Sequence, residues 1–109
     1  MHRRIERFRE VAIERWVHLD EGNSKKGNKC YGELLKIAQE LRNENQLEDL
    51  EILLDDENDA VKFEAGTKLL TINSKRAEQT LEKLTKKKGT LPFTIKMTLK
   101  TWRAGNLSF

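Results

Sequence analysis

The stretch Leu47–Leu70, LEDLEILLDDENDAVKFEAGTKLL, encodes two short amphipathic helices joined by a tight acidic turn. Leu47, Leu50, Leu53 and Leu54 recur at helical spacing, Asn58 and Asp59 stand where a new helix needs a cap, and Val61, Ala65, Leu69 and Leu70 mark its buried face. The spacing predicts helices over about 47–54 and 59–70. Gly66 costs the second helix about 1 kcal/mol relative to alanine, so its presence predicts a neighbouring helix passing close by.

Upstream, Ile5, Phe8, Ala12, Trp16 and Leu19 fall on one face of a helix from about Arg4 to Asp20, with Gly22 as its stop and Trp16 as a core residue. Arg3, Arg4, Asp20 and Glu21 oppose that helix's dipole. Lys25, Lys26 and Lys29 open the next helix and are expected near Asp20 and Glu21. Ser24 is the expected N-cap of this second helix, in which Tyr31, Leu34, Leu35, Ala38 and Leu41 carry the pattern to about Asn43; Gly27 and Gly32 weaken its first turns. Asn45 separates it from the helix at Leu47. Downstream, Asn73 or Ser74 caps a fifth helix whose buried stripe is Ala77, Leu81 and Leu84. Lys86, Lys87 and Lys88 suit its C-terminus, and Gly89 stops it.

Two periodicities collide in the last segment, TLPFTIKMTLKTWRAGN. Leu91, Phe93, Ile95, Met97 and Leu99 alternate with Thr94, Lys96, Thr98 and Lys100, which is a strand pattern and is locally slightly ahead. Read as a helix, the segment places Pro92 in a permitted first turn, with Leu91, Ile95, Leu99 and Trp102 on one stripe and Lys96, Lys100 and Arg103 on another.

A chain of 109 residues supports one domain spanning residues 1–109, burying roughly two thirds of the surface its unfolded form exposes. No apolar run approaches the roughly 20 residues that cross a bilayer. The start, MHRRIERFRE, carries charge where a signal peptide is apolar, so a cytoplasmic protein without a membrane partner is expected. The single cysteine, Cys30, reads as a small residue at a helix edge. Neither it nor His2 and His18 has the spacing of a metal site.

The formal net charge of +3 conceals a segregation. Residues 1–43 carry +3, residues 44–61 hold eight acids and no base, and residues 62–109 carry +8. Such blocks bear on partners and self-association more than on fold.

The central pair resembles a HEAT repeat, in which LxxLLxD is followed by VR and a spaced alanine: Leu50, Leu53, Leu54 and Asp56, then Val61, Lys62 and Ala65. The first helix lacks the common proline, and lysine replaces arginine. In HEAT arrays the acid and base equivalent to Asp56 and Lys62 pair between neighbouring repeats; with one good copy, no ladder runs here. Over almost its whole length the chain resembles a bacterial family of small HEAT-like domains catalogued as a domain of unknown function, number two thousand and nineteen. RFREVAIERW, EGNSKKGNKCY, DDENDAVKFEA and MTLKTWRAG carry that resemblance. It implies an all-α fold, a short right-handed solenoid of about three antiparallel helix pairs of HEAT/armadillo type, and it turns the ambiguous ending into a helix. Stacked repeats need about three units to bury a continuous core, and terminal units depart from consensus because they cap it.

No GxGxxG or GxxxxGK[ST] loop is present, and no serine has a histidine in a recognisable motif. The carboxylates around Asp55, Asp56, Glu57 and Asp59 read as a hydrophilic turn, because the glycine and terminal glutamate of an EF-hand are missing. A protein with no enzymatic activity, cofactor or metal is therefore expected.

The leading expectation is a protein-binding module, such as an immunity protein that neutralises a toxin, docking through the acidic patch Glu48, Asp49, Glu51, Asp55, Asp56, Glu57 and Asp59. The alternative is nucleic-acid binding through Lys83, Lys86, Lys87, Lys88, Lys96, Lys100 and Arg103, with Trp102 stacking. A third is self-assembly, the acidic block of one molecule meeting the basic block of another.

Overall fold

The computed structural model describes residues 2–109. It contains α1 (Arg3–Asp20), α2 (Ser24–Asn43), a 3-10 helix η1 (Leu47–Asp55), α3 (Asp59–Leu70), α4 (Lys75–Leu84) and α5 (Thr90–Arg103), with no strand among the described residues. α1 packs most heavily against α2 and η1 against α3, and α4 packs more against α3 than against α5. At the centre, α3 also packs against α1, α4 and α5. The middle helix is accordingly buried almost all round, on Val61, Phe63, Ala65, Gly66, Leu69 and Leu70 as well as on two charged residues.

In α1 the dipole conflict is relieved by the neighbouring helix. Arg4 pairs with Glu40 and Glu44 near the C-terminus of α2, and Arg7 reaches Glu33 at 2.6 Å. At the other end the expected compensation is missing: Lys25, Lys26 and Lys29 form no ion pair with Asp20 or Glu21, and His18 Nδ1 lies 3.7 Å from Glu21. The cap of α2 is Asn23 rather than Ser24, its side chain accepting the Lys26 N–H at 3.1 Å, because Gly22 at φ +76° turns the chain one residue earlier. Gly27 has a purpose that helix propensity hides. A Cβ there would lie 2.7 Å from Leu19 Cδ2, so any larger residue would force the Leu19 side chain aside where α1 and α2 meet.

The segment Leu47–Asp55 is wound as a 3-10 helix over nine residues. Leucines at 47, 50 and 53 repeat every three residues, which is the 3-10 period, and together with Leu54 they are buried. Asn58 then caps α3, its side-chain oxygen accepting from Ala60 at 2.8 Å and Val61 at 3.2 Å. Replacing Asn58 with alanine should cost about 1 kcal/mol, seen as a lower urea midpoint with an unchanged slope; an unmoved midpoint would show that the cap is dispensable.

Helix α4 begins at the Ser74 cap, after Asn73 in the left-handed region, and ends at Leu84. The triple lysine therefore lies in the turn beyond the helix, not in its last turn. The closing segment is helical, which overturns the period-two reading. Pro92, Ile95 and Leu99 are buried, whereas Phe93 and Met97, which a strand would place on the same face as Ile95, point outward. Trp16 and Trp102 sit at the edge of the core, half-buried.

Candidate functional site

Three of the seven acidic-patch residues, Asp55, Asp56 and Asp59, are ion-paired within the chain. Asp56 receives Arg9 Nε at 2.5 Å and the Asn58 N–H at 2.9 Å. Burial disfavours its charged form, but the Arg9 guanidinium and these hydrogen bonds outweigh that and hold the carboxyl below the usual carboxylate range. The Arg9–Asp56 pair ties α1 to the turn before α3, so Asp56 pairs there rather than with Lys62. Asp55 takes Arg76 at 2.5 Å, Asp59 takes Lys87 at 2.7 Å and Lys62 at 3.9 Å, and Glu51 accepts from Ser74 Oγ at 2.9 Å. Among the described residues, Glu48, Asp49 and Glu57 of the seven have neither an ion pair nor a side-chain hydrogen bond.

The basic residues are treated unequally. Arg103 is held by Glu78 and Glu82, and Lys87 by Asp59. Lys83, Lys86, Lys88, Lys96 and Lys100 are exposed without an ion pair among the described residues. They do not gather in one hollow. Lys83 lies beside Asp55, Lys62 and Arg76, whereas Lys87 and Lys88 line an open cleft of about 630 Å³ between α1 and the start of α5. The floor of that cleft includes Trp16, Ala60 and Pro92. Lys96 and Lys100 stand one turn apart on the outer face of α5, next to Phe93, 64% exposed, and Met97, 47% exposed. This row sets two exposed apolar side chains beside two lysines that have no ion pair among the described residues.

The least expected feature lies inside the molecule. Glu64 and Lys68, successive turns of α3, are each only 2% exposed. Glu64 Oε2 accepts from Arg15 Nη1 and from Trp16 Nε1, the latter at 2.7 Å. The Arg15 guanidinium lies 4.8 Å from the Tyr31 ring centroid, and the Lys68 ammonium lies 5.1 Å from the rings of both Tyr31 and Phe109. Sequence periodicity misses this cluster because it assigns only one apolar stripe to α3. The i, i+4 spacing of Glu64 and Lys68 places them on one side of the helix, but nothing local marks that side as buried.

Burial pushes the Lys68 ammonium below the usual lysine range. Arg15 lowers it further, and Glu64 opposes both. The folded chain therefore releases this proton earlier than the unfolded one. Between the folded value and about 10.4 the unfolded state binds more protons, so this residue's contribution to stability rises with pH across that window. Measured from about pH 8 to about pH 10, wild type should gain stability relative to Lys68→Met; parallel curves would refute a buried ammonium.

Cys30 is half-buried, and burial, with Glu14 and Glu33 nearby, pushes its thiol up. Among the described residues no group of three or more His, Cys, Asp or Glu side chains is placed to hold a metal ion, and no helix is long and apolar enough to cross a membrane. No protein-family model, no curated protein and no solved structure matches the chain.

Proposed function

We propose that this chain is a cytoplasmic, non-catalytic protein-binding module, built as a short right-handed HEAT-like solenoid of three helix pairs and docking through the outer face of α5. The observation that carries the reading is the exposed row Phe93 and Met97 beside Lys96 and Lys100, two apolar anchors flanked by charges that no acid among the described residues pairs with. Its complement is a protein surface with an apolar hollow rimmed by carboxylates. The packing of α1 on α2 and of η1 on α3, and the central position of α3, support the solenoid reading, as does the resemblance to the small HEAT-like family. The acidic block recedes as the docking surface because Asp55, Asp56 and Asp59 are already paired. The same pairing leaves less charge for self-assembly.

Capture from a lysate of the source organism, at low and moderate salt, compares wild type with the double variant Phe93→Asp, Met97→Asp. A partner retained by wild type and lost by the variant is expected; the same proteins retained by both would sink the proposal. If the partner is a toxin, co-expression of wild type should restore growth and the double variant should not.

Nucleic-acid binding is the second reading, favoured by the five unpaired lysines, with Phe93 in place of the half-buried Trp102 as the stacking ring. Filter binding decides it. Phosphate contacts give an affinity that falls steeply with salt, and no binding at low salt removes the reading.

A further inference from the structure

The surface that the outer face of α5 requires, an apolar hollow edged by carboxylates, is carried by the chain itself. The cleft of about 630 Å³ between α1 and the start of α5 is walled by Ile13, Trp16, Val17, Ala60, Leu91 and Pro92. Its volume lies in the range that encloses a small organic group, so a phenylalanine ring has room there. Val17 is 48% exposed, an apolar side chain left in water on a helix whose core face is elsewhere, on Ile5, Phe8, Val11 and Ala12. Trp16 commits its N–H to Glu64, so what it offers the cleft is apolar ring surface.

Charge is divided between the walls. Asp20, at the end of α1, and Glu57, in the turn before α3, are exposed and have neither an ion pair nor a side-chain hydrogen bond among the described residues. The third acid, Asp59, is taken by Lys87, which leaves Lys88, in the segment leading into α5, as the free cation of the rim. Two free carboxylates against one ammonium make the α1 and α3 walls attract a cationic apolar group. Phe93 and Met97 beside Lys96 and Lys100 are such a group, with two ammoniums for two carboxylates. They do not reach the cleft of their own molecule, because Phe93 follows directly on Leu91 and Pro92, which form its wall, and is 64% exposed.

We propose that this cleft is the docking site for a second copy of the chain. Phe93 and Met97 of one copy enter between Trp16, Val17 and Pro92 of the other, and Lys96 and Lys100 meet Asp20 and Glu57. The inference rests on the reading of the α5 outer face as a docking surface and names its partner. It differs from a meeting of acidic and basic blocks: of the acidic patch only Glu57 takes part, and burial of apolar surface holds the copies together.

The test is the mass of the full chain by sedimentation equilibrium at low salt, from about 10 μM to about 1 mM, the range in which weak contacts register. Wild type should move from the mass of one chain toward that of two, and less so as salt is added. Asp20→Lys with Glu57→Lys, and separately Lys96→Glu with Lys100→Glu, should each weaken association by at least about tenfold, because like charges then face each other. All four side chains are exposed, so these variants should fold as wild type does. Mixed one to one, the two reversed proteins should associate again, the acidic α5 of one in the basic cleft of the other. A wild type that stays a single chain throughout overturns the inference and leaves the α5 face to be judged by the lysate capture. Association abolished by Phe93→Asp, Met97→Asp but untouched by Asp20→Lys, Glu57→Lys keeps the α5 face and strikes the cleft, as does a reversed pair that fails to recover.

Discussion

Replacing Glu64 with alanine should destabilise the fold by about 3–5 kcal/mol, because it removes the carboxylate that faces the buried Lys68 and the half-buried Arg15. Arg15 and Lys68 would then confront each other without a counter-charge, and the Trp16 N–H would lose its acceptor. Each of these leaves a desolvated polar group unpaired, which is why the loss should exceed that of any ion pair on the surface. A fall in melting temperature on the order of 15 °C is expected for a chain of this size. The triple variant Arg15→Met, Glu64→Leu, Lys68→Met should regain most of the lost stability, since a matched apolar set carries no desolvation cost. A Glu64→Ala variant weakened by less than about 1 kcal/mol would mean that water reaches the cluster.

The second large effect lies where α3 meets α4. Leu81 is fully buried, and a Cβ placed on Gly66 would come within 3.0–3.2 Å of its Cγ and both Cδ atoms. Leu81→Ala should cost about 2–5 kcal/mol through lost burial and the cavity left behind. Gly66→Ala alone sets a gain of about 1 kcal/mol in helix propensity against crowding of Leu81, and a net loss is expected because that side chain is enclosed. In the Leu81→Ala background the same change should become stabilising, as the new methyl enters the space vacated. Denaturant midpoints of the four proteins give the coupling directly; additive effects would show that the two residues do not constrain each other.

Several elements were legible because their signals are local. Asn58 before the third α-helix, Gly22 after the first, and leucines every three or four residues locate those boundaries to within a residue or so, whereas α4 ends at Leu84, ahead of the triple lysine and Gly89. Gly66 was also legible as a point of close approach, and Leu81 is what approaches. The ending was not. Its alternation puts a strand slightly ahead locally, and only burial of Pro92, Ile95 and Leu99 against the rest of the chain decides for the helix. The acidic patch was legible as a block of charge but not as a surface. Arg9, Arg76 and Lys87, which neutralise Asp56, Asp55 and Asp59, lie 47, 21 and 28 residues away.

By itself, therefore, the sequence determined a helical chain as far as α4, the places where those helices begin, and the apolar stripes that drive them together. Those follow from backbone hydrogen bonding and side-chain period, which act over a few residues. Tertiary structure alone decided which charges remain free, that α3 is enclosed on every side, and that Glu64, Lys68 and Phe109 share one corner. The physical reason is that desolvation and ion pairing depend on neighbours brought together from distant parts of the chain, which no window of sequence contains.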